Sequence, residues 1–180
     1  VAAITAELPS DESELEFTAE NCTTHSWGQA EGTLKPGILE LNAAGKARNW
    51  SGCNWVWKKP LALPDNAKSG SLLFEINGGN DAWGKPQGAQ QLQLKLLALD
   101  SAGKQLRIPY LPIPVRIDSE PGTWQSVAIP LRRLLPPETA KLNGISLQFQ
   151  IQPVEQSGVA IRNLRIGNDS EKNIMTRNVP

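Results

Sequence analysis

Apolar and polar residues alternate with a period of two through much of this chain. Leu72, Phe74 and Ile76 alternate with Leu73, Glu75 and Asn77, and Leu92, Leu94 and Leu96 with Gln91, Gln93 and Lys95. Val127, Ile129 and Leu131 alternate with Ser126, Ala128 and Pro130, and Ile145, Leu147, Phe149 and Ile151 with Ser146, Gln148 and Gln150. Successive side chains of a strand point to opposite faces, so each run predicts a strand with one face on a core. Turn-forming clusters separate the runs: Gly78-Gly79-Asn80-Asp81, Asp100-Ser101-Ala102-Gly103 and Glu120-Pro121-Gly122. The second of these predicts a hairpin into a strand at residues 105–108. Further strands are predicted at residues 15–18, 37–41, 50–57, 112–117 and 159–166. Pro109, Pro112 and Pro114 assign their segment to a sheet edge or an extended connection. Helical pattern is confined to one turn at 131–135, stopped by Pro136-Pro137. Many strands, regular turn signals and little helix predict an all-β, two-sheet antiparallel sandwich of the jelly-roll kind.

The ends lack this pattern. Residues 1–14 are small, polar and acidic, and 168–180 are polar with few apolar anchors. Both read as linkers around a module at 15–167, as in a piece of a longer polypeptide. Lys+Arg and Asp+Glu number 18 each. That balance argues against nucleic acid as partner, and no apolar run is long enough to span a bilayer.

The two cysteines, Cys22 and Cys53, form no Cys-x-x-Cys pair, and one His cannot complete a usual zinc set. A nucleophilic Cys near His25 is the reactive reading. A Cys22–Cys53 disulfide is the expectation; it would close a long loop for about 3–4 kcal/mol and imply an oxidising compartment, secreted, extracellular or periplasmic.

Six tryptophans accompany only three Phe and one Tyr, most of them among Asn, Ser and Gly. An indole offers a broad apolar face and one N–H donor, which suits the C–H face and hydroxyl rim of a sugar ring. Trp55 and Trp57, two apart in a strand, share a face with Cys53, with Cα atoms about 6–7 Å apart. On that spacing they could floor a groove for adjacent sugar units; the alternative points both into the core and Val56 outward. Trp27 and Trp83 read as loop-borne candidates, and Trp50 could join either side. Gln91, Gln93, Lys95, Gln148 and Gln150, together with Glu75 and Asn77, form candidate polar walls. Amides both donate and accept, as sugar hydroxyls do, although a solvated sheet face carries the same alternation.

Two C-terminal segments carry a family likeness. Gly122-Thr123-Trp124-Gln125-Ser126-Val127-Ala128-Ile129-Pro130-Leu131 resembles the G-x-W-x-x-V-x-I-P-L strand of jelly-roll carbohydrate-binding modules of the galactose-binding-domain-like group. Val159-Ala160-Ile161-Arg162-Asn163-Leu164-Arg165-Ile166 resembles their closing strand, and Asn143-Gly144-Ile145-Ser146-Leu147-Gln148-Phe149 fits between the two. The resemblance covers the C-terminal third. It implies that Trp124 is scaffold at the start of a core strand, packed under a loop, and that Asn163 holds a bulge or loop. Arg162 stands where such modules often carry an Asp that helps hold calcium, and Arg cannot ligate a cation, so calcium is not carried over. Glu16, Glu20 and Glu31 could still offer oxygen ligands, but read as solvated surface. The expectation is no cofactor and no metal.

The sequence therefore predicts a monomeric, non-catalytic module that binds polysaccharide or oligosaccharide and targets an attached catalytic domain. A structural or protein-interaction sandwich is the alternative. Glycoside cleavage usually needs a spaced carboxyl pair, and none stands out. A lyase would have to rely on His25 or Tyr110, with Lys95 or Arg107 supplying charge.

Overall fold

The computed structural model describes residues 13–44, 50–77, 91–114, 124–150, 156–167 and 175–179. Twelve strands build it. They are β1 (Ser13–Glu14), β2 (Cys22–Trp27), β3 (Ala30–Lys35), β4 (Ile38–Ala44), β5 (Trp50–Ala62), β6 (Ser71–Asn77), β7 (Gln91–Leu99), β8 (Leu111–Pro114), β9 (Trp124–Pro130), β10 (Lys141–Gln150), β11 (Gln156–Gly167) and β12 (Met175–Val179). A single helical turn, α1 (Leu131–Leu134), follows β9, and a 3₁₀ turn spans Asp65–Ser69.

The strands form two antiparallel sheets. One runs β12-β9-β6-β11-β4-β3, with β1 also paired to β11; the other runs β2-β5-β10-β7-β8. The expected all-β sandwich is what the chain adopts. Its core lies between the sheets: Leu39, Leu41, Leu72, Phe74, Ile76, Val127, Ile129 and Ile161 face Cys53, Trp55, Trp57, Leu92, Leu94, Leu96, Ile145 and Leu147. The period-two residues thus point where alternation predicts. The opposite parity of β5, β10 and β7 forms the outer face of the five-stranded sheet.

Several boundaries differ from expectation, each for a local reason. Residues 15–18 bury Leu15 and Phe17 but are not a strand. After Leu15 donates to the Leu164 carbonyl the chain leaves the β11 ladder, and reciprocal bonds between Thr18 and Asn21 (2.8 and 3.1 Å) turn it into β2. The 100–103 turn forms as predicted, with Asp100 Oδ1 accepting from the amides of Ala102 and Lys104 at 2.9 Å. Beyond it, Gln105 bridges back to Leu99 and the Leu106 amide donates to the Ala98 carbonyl, with no further strand pairing at 107–108. The linker reading of both ends is corrected where they are described. Ser13–Glu14 pairs with β11, and Met175–Val179 pairs with β9 as an edge strand. Edge pairing draws on backbone hydrogen bonds, which leave no alternation to read. The glycine-rich stretch at 78–81, the Glu120-Pro121-Gly122 turn, Ile151 and residues 115–117 lie outside the described residues.

The disulfide is also corrected. In the β2–β5 ladder Cys22 stands opposite Trp57 and Cys53 opposite Ser26. The two cysteines are thus four residues apart along the strands, about 13 Å, beyond the reach of a bridge. Both are buried free thiols. Burial pushes both thiols above their ordinary value of 9.0, the reverse of an activated nucleophile. The redox argument for location falls with the bridge.

Candidate functional site

Trp55 and Trp57 do share a face, but it is the inner one, so the groove read on them is corrected. Trp55 is 0% exposed and Trp57 3%. β5 is an interior strand of its sheet, and its odd-numbered residues from Ser51 to Trp57 fill the gap between the layers. Trp57 stacks on Phe17 with ring centroids 4.6 Å apart, and its indole N–H donates to the Glu16 carbonyl at 2.8 Å. Asn54, Lys58 and Lys59 made the neighbourhood look polar, but Asn54 belongs to the opposite face and the lysines to the strand's exposed far part.

That opposite face carries a different pair of indoles. Trp27 ends β2 opposite Gly52 of β5. A Cβ at position 52 would lie 2.6 Å from the Trp27 six-membered ring and collide with the Leu147 carbonyl. The glycine is what lets the half-buried indole lie against the outside of the sheet. Trp50, also half-buried, stands two residues before Gly52, opposite Gln150, on the same outer face. The loop-borne reading of Trp27 is corrected accordingly: it is the last residue of a strand.

Polar side chains continue this surface in two rows. Trp27, Gly52, Gln148, Gln93 and Pro112 align across β2, β5, β10, β7 and β8. Gln148 Nε2 donates to Gln93 Oε1 at 2.8 Å, which fixes both amides. Gln148 Oε1 and Gln93 Nε2 remain, an acceptor and a donor side by side, with no further partner among the described residues. The next row is His25, Asn54, Ser146 and Lys95. Tyr110 folds over it: its hydroxyl bonds to the Ser146 hydroxyl at 2.6 Å, and Lys95 Nζ sits 4.5 Å from the ring centroid. Burial pushes the Tyr110 phenol up, opposed in part by the Ser146 bond. Gln91 and Gln150 occupy register positions on this face, opposite Pro114 and Trp50.

The structure thus gathers Trp27, Trp50, Gln93, Lys95 and Gln148, separates them from Trp55 and Trp57, and leaves Trp83 outside the described residues. Pattern reading missed Gly52, Asn54, Ser146 and the Tyr110 cover. Gly52 within a run otherwise fit for a strand was the available signal, since such a glycine marks close approach of another group. Glu75 and Asn77, also read as polar wall, lie on β6 in the other sheet.

On the outside of that sheet, Arg162 joins Glu75 through Nε and Nη2, each 2.8 Å from Oε1, and its guanidinium lies 4.0 Å over the Trp124 ring. Trp124 therefore packs under an arginine. Asn163, at φ 57°, occupies a register break in β11 and donates to Glu75 Oε2 at 3.0 Å. This is the bulge role its resemblance implied. A guanidinium occupying the Glu75 carboxylate does not fit a calcium site here, and among the described residues no cluster of three His, Cys, Asp or Glu is placed to hold a metal.

No family model matches the sequence, and no curated protein matches it. Solved structures do. A family 11 carbohydrate-binding module from Clostridium thermocellum, in complex with a β-1,3-1,4-mixed-linked tetrasaccharide, superposes with a TM-score of 0.57 at 12% identity, covering 90% of this chain and 98% of that one. A family 30 carbohydrate-binding module gives 0.54 at 14% identity, covering 89% and 96%. An exo-β-agarase gives 0.54 at 19% identity, covering 89% of this chain but 25% of the enzyme. At such identities the likeness establishes the fold: the jelly roll of the carbohydrate-binding modules that the C-terminal motifs resemble.

Proposed function

We propose that this protein is a non-catalytic carbohydrate-binding module that takes a polysaccharide chain on the outer face of its five-stranded sheet. The observation that carries the reading is the Trp27 indole laid against Gly52 beside the Gln93–Gln148 amide pair. A sugar stacks its C–H face on the indole while its hydroxyls engage the free carbonyl and amide of the pair. Trp50 extends the apolar strip along β5, and Asn54 and Lys95 border it. The fold shared with an oligosaccharide-bound module supports this reading. So does the occurrence of the same fold as a quarter of an agarase chain, which fits a module that brings an attached enzyme to its polymer, outside the cytoplasm. No helix among the described residues is long and apolar enough to cross a membrane.

Two competing readings meet specific observations. A purely structural sandwich accounts for buried Trp55 and Trp57 but not for Trp27 and Trp50 sharing an outer surface with fixed, half-used amides. A lyase needs a base with a lowered pKa, whereas the Tyr110 phenol is pushed up and engaged with Ser146. In gels containing polysaccharide, the wild-type protein is retarded and Trp27→Ala migrates as in the blank gel, with an unchanged melting temperature. A Trp27→Ala protein still fully retarded on every polymer that slows the wild type would sink the proposal.

A further inference from the structure

Charge is distributed unevenly over this molecule. The chain as a whole is balanced at 18 basic and 18 acidic residues. The ion pairs among the described residues, Lys35–Glu40, Lys68–Asp65 and Arg162–Glu75, all lie away from the outer face of the five-stranded sheet. That face presents Trp27, Trp50, Gln93, Lys95 and Gln148, with Tyr110 above them. Among the described residues it carries no Asp or Glu, and the two further positions whose register falls there, Gln91 and Gln150, are neutral amides.

Lys95 is the cation of the row next to Gln93 and Gln148, with Lys58 and Lys141 standing farther along the same face, and it has no carboxylate partner among the described residues. Its ammonium instead rests over the Tyr110 ring, and Tyr110 is itself fixed by Ser146. A ring quadrupole holds a cation in place without neutralising it. The ammonium therefore keeps its field and its three donors, and much of the entropy of ordering a long lysine stem is lost before any ligand arrives. It stands on β7, two residues along from Gln93, and about 12 Å (two strand spacings across and two residues along) from Gly52, over which the Trp27 indole lies. A chain crossing the strands from that indole toward β7 passes over Gln148 and Gln93 and brings a neighbouring unit within reach of Lys95.

We infer that Lys95 selects polysaccharides bearing an anionic substituent, a carboxylate or an ester sulfate, on the sugar unit next to the one stacked on Trp27. This rests on the binding reading above and narrows it from polysaccharide to anionic polysaccharide. A carboxylate or sulfate oxygen accepts a charge-assisted hydrogen bond from the ammonium, and none of the described residues of the face is an acid that would repel the incoming charge.

The test is affinity electrophoresis and calorimetry, at low and high salt, on two matched sets. The first is hydroxyethyl cellulose, carboxymethyl cellulose and cellulose sulfate; the second is agarose and its sulfated counterpart carrageenan, with alginate as a second carboxylate polymer. The inference predicts, in at least one set, roughly five-fold tighter binding to the charged member at low salt, shrinking as salt rises. Lys95→Met brings the charged-to-neutral ratio close to one, while Lys68→Met, which removes an equal charge elsewhere, leaves the ratio as in the wild type. The carboxylated and sulfated arms show which anion is preferred. Binding of neutral and charged polymers with equal affinity overturns the anion selection and leaves the polysaccharide reading standing. A preference that survives Lys95→Met, or is lost equally in Lys68→Met, also overturns it. Binding to none of the polymers overturns both.

Discussion

Strand β5 sends tryptophans to both of its sides, and the two sides use them in opposite ways. Inside, Trp55 and Trp57 are sealed between the sheets with Cys53. There the indole is volume, filling the core. Outside, Trp50 lies along a surface that Trp27 reaches from β2 because residue 52 has no side chain. There the indole is area, left half open. The lesson is that residue type does not distinguish a binding aromatic from a packing one. Strand parity relative to the core does, and a glycine on the same parity reveals where something lies flat.

Four experiments test that contrast. The largest effect is expected at Trp55→Ala, which empties a fully buried site and lowers stability by about 3–5 kcal/mol; a chemical denaturation midpoint unchanged by it would erase the distinction. Next is Gly52→Ala. Its Cβ meets the Leu147 carbonyl and the Trp27 ring, so strand or indole must move, at about 1–3 kcal/mol, and retention on polysaccharide falls with it. Binding at wild-type strength in this variant would mean that the Trp27 placement does not matter.

A smaller effect comes from alkaline pH. The Cys22 and Cys53 thiols, both on the inner side, are raised by burial above their ordinary 9.0, and Tyr110 outside is raised above 10.0. Well below pH 9 folded and unfolded chains both keep these protons, so the groups leave stability independent of pH. Closer to it and above, the unfolded chain ionises first, so stability falls as pH climbs toward the folded-state values. Melting temperatures across alkaline pH should hold to about pH 8 and then decline, more shallowly in a Cys53→Ala variant compared with its own neutral value. The smallest effect on stability is Trp27→Ala, within about 0.5 kcal/mol, although its effect on binding is the greatest. A large loss of stability there would move Trp27 into the core.

Pattern reading recovered the sandwich because the inner residues of β6, β7, β9 and β10 alternate strictly, and a half-buried strand has to. It also paired Trp55 with Trp57 on one face correctly. It could not say which face, because alternation is symmetric: Asn54 and Val56 on one side and Cys53, Trp55 and Trp57 on the other are told apart only by where the second sheet lies. β2, β3 and β12 escaped notice for a related reason. β2 has four exposed residues between its ends, and an edge strand held by backbone bonds need not alternate. The Tyr110–Ser146 and Gln93–Gln148 contacts join residues 36 and 55 positions apart, and no local window contains both members.

The unbridged cysteines bear on how the chain reaches its native state. Twelve strands with largely non-local pairing fold slowly enough without a further covalent step, and here none is required. Refolding should proceed at one rate in dithiothreitol or in air, without disulfide isomerase. The finished module should tolerate a glutathione-rich lumen as well as an aerated one.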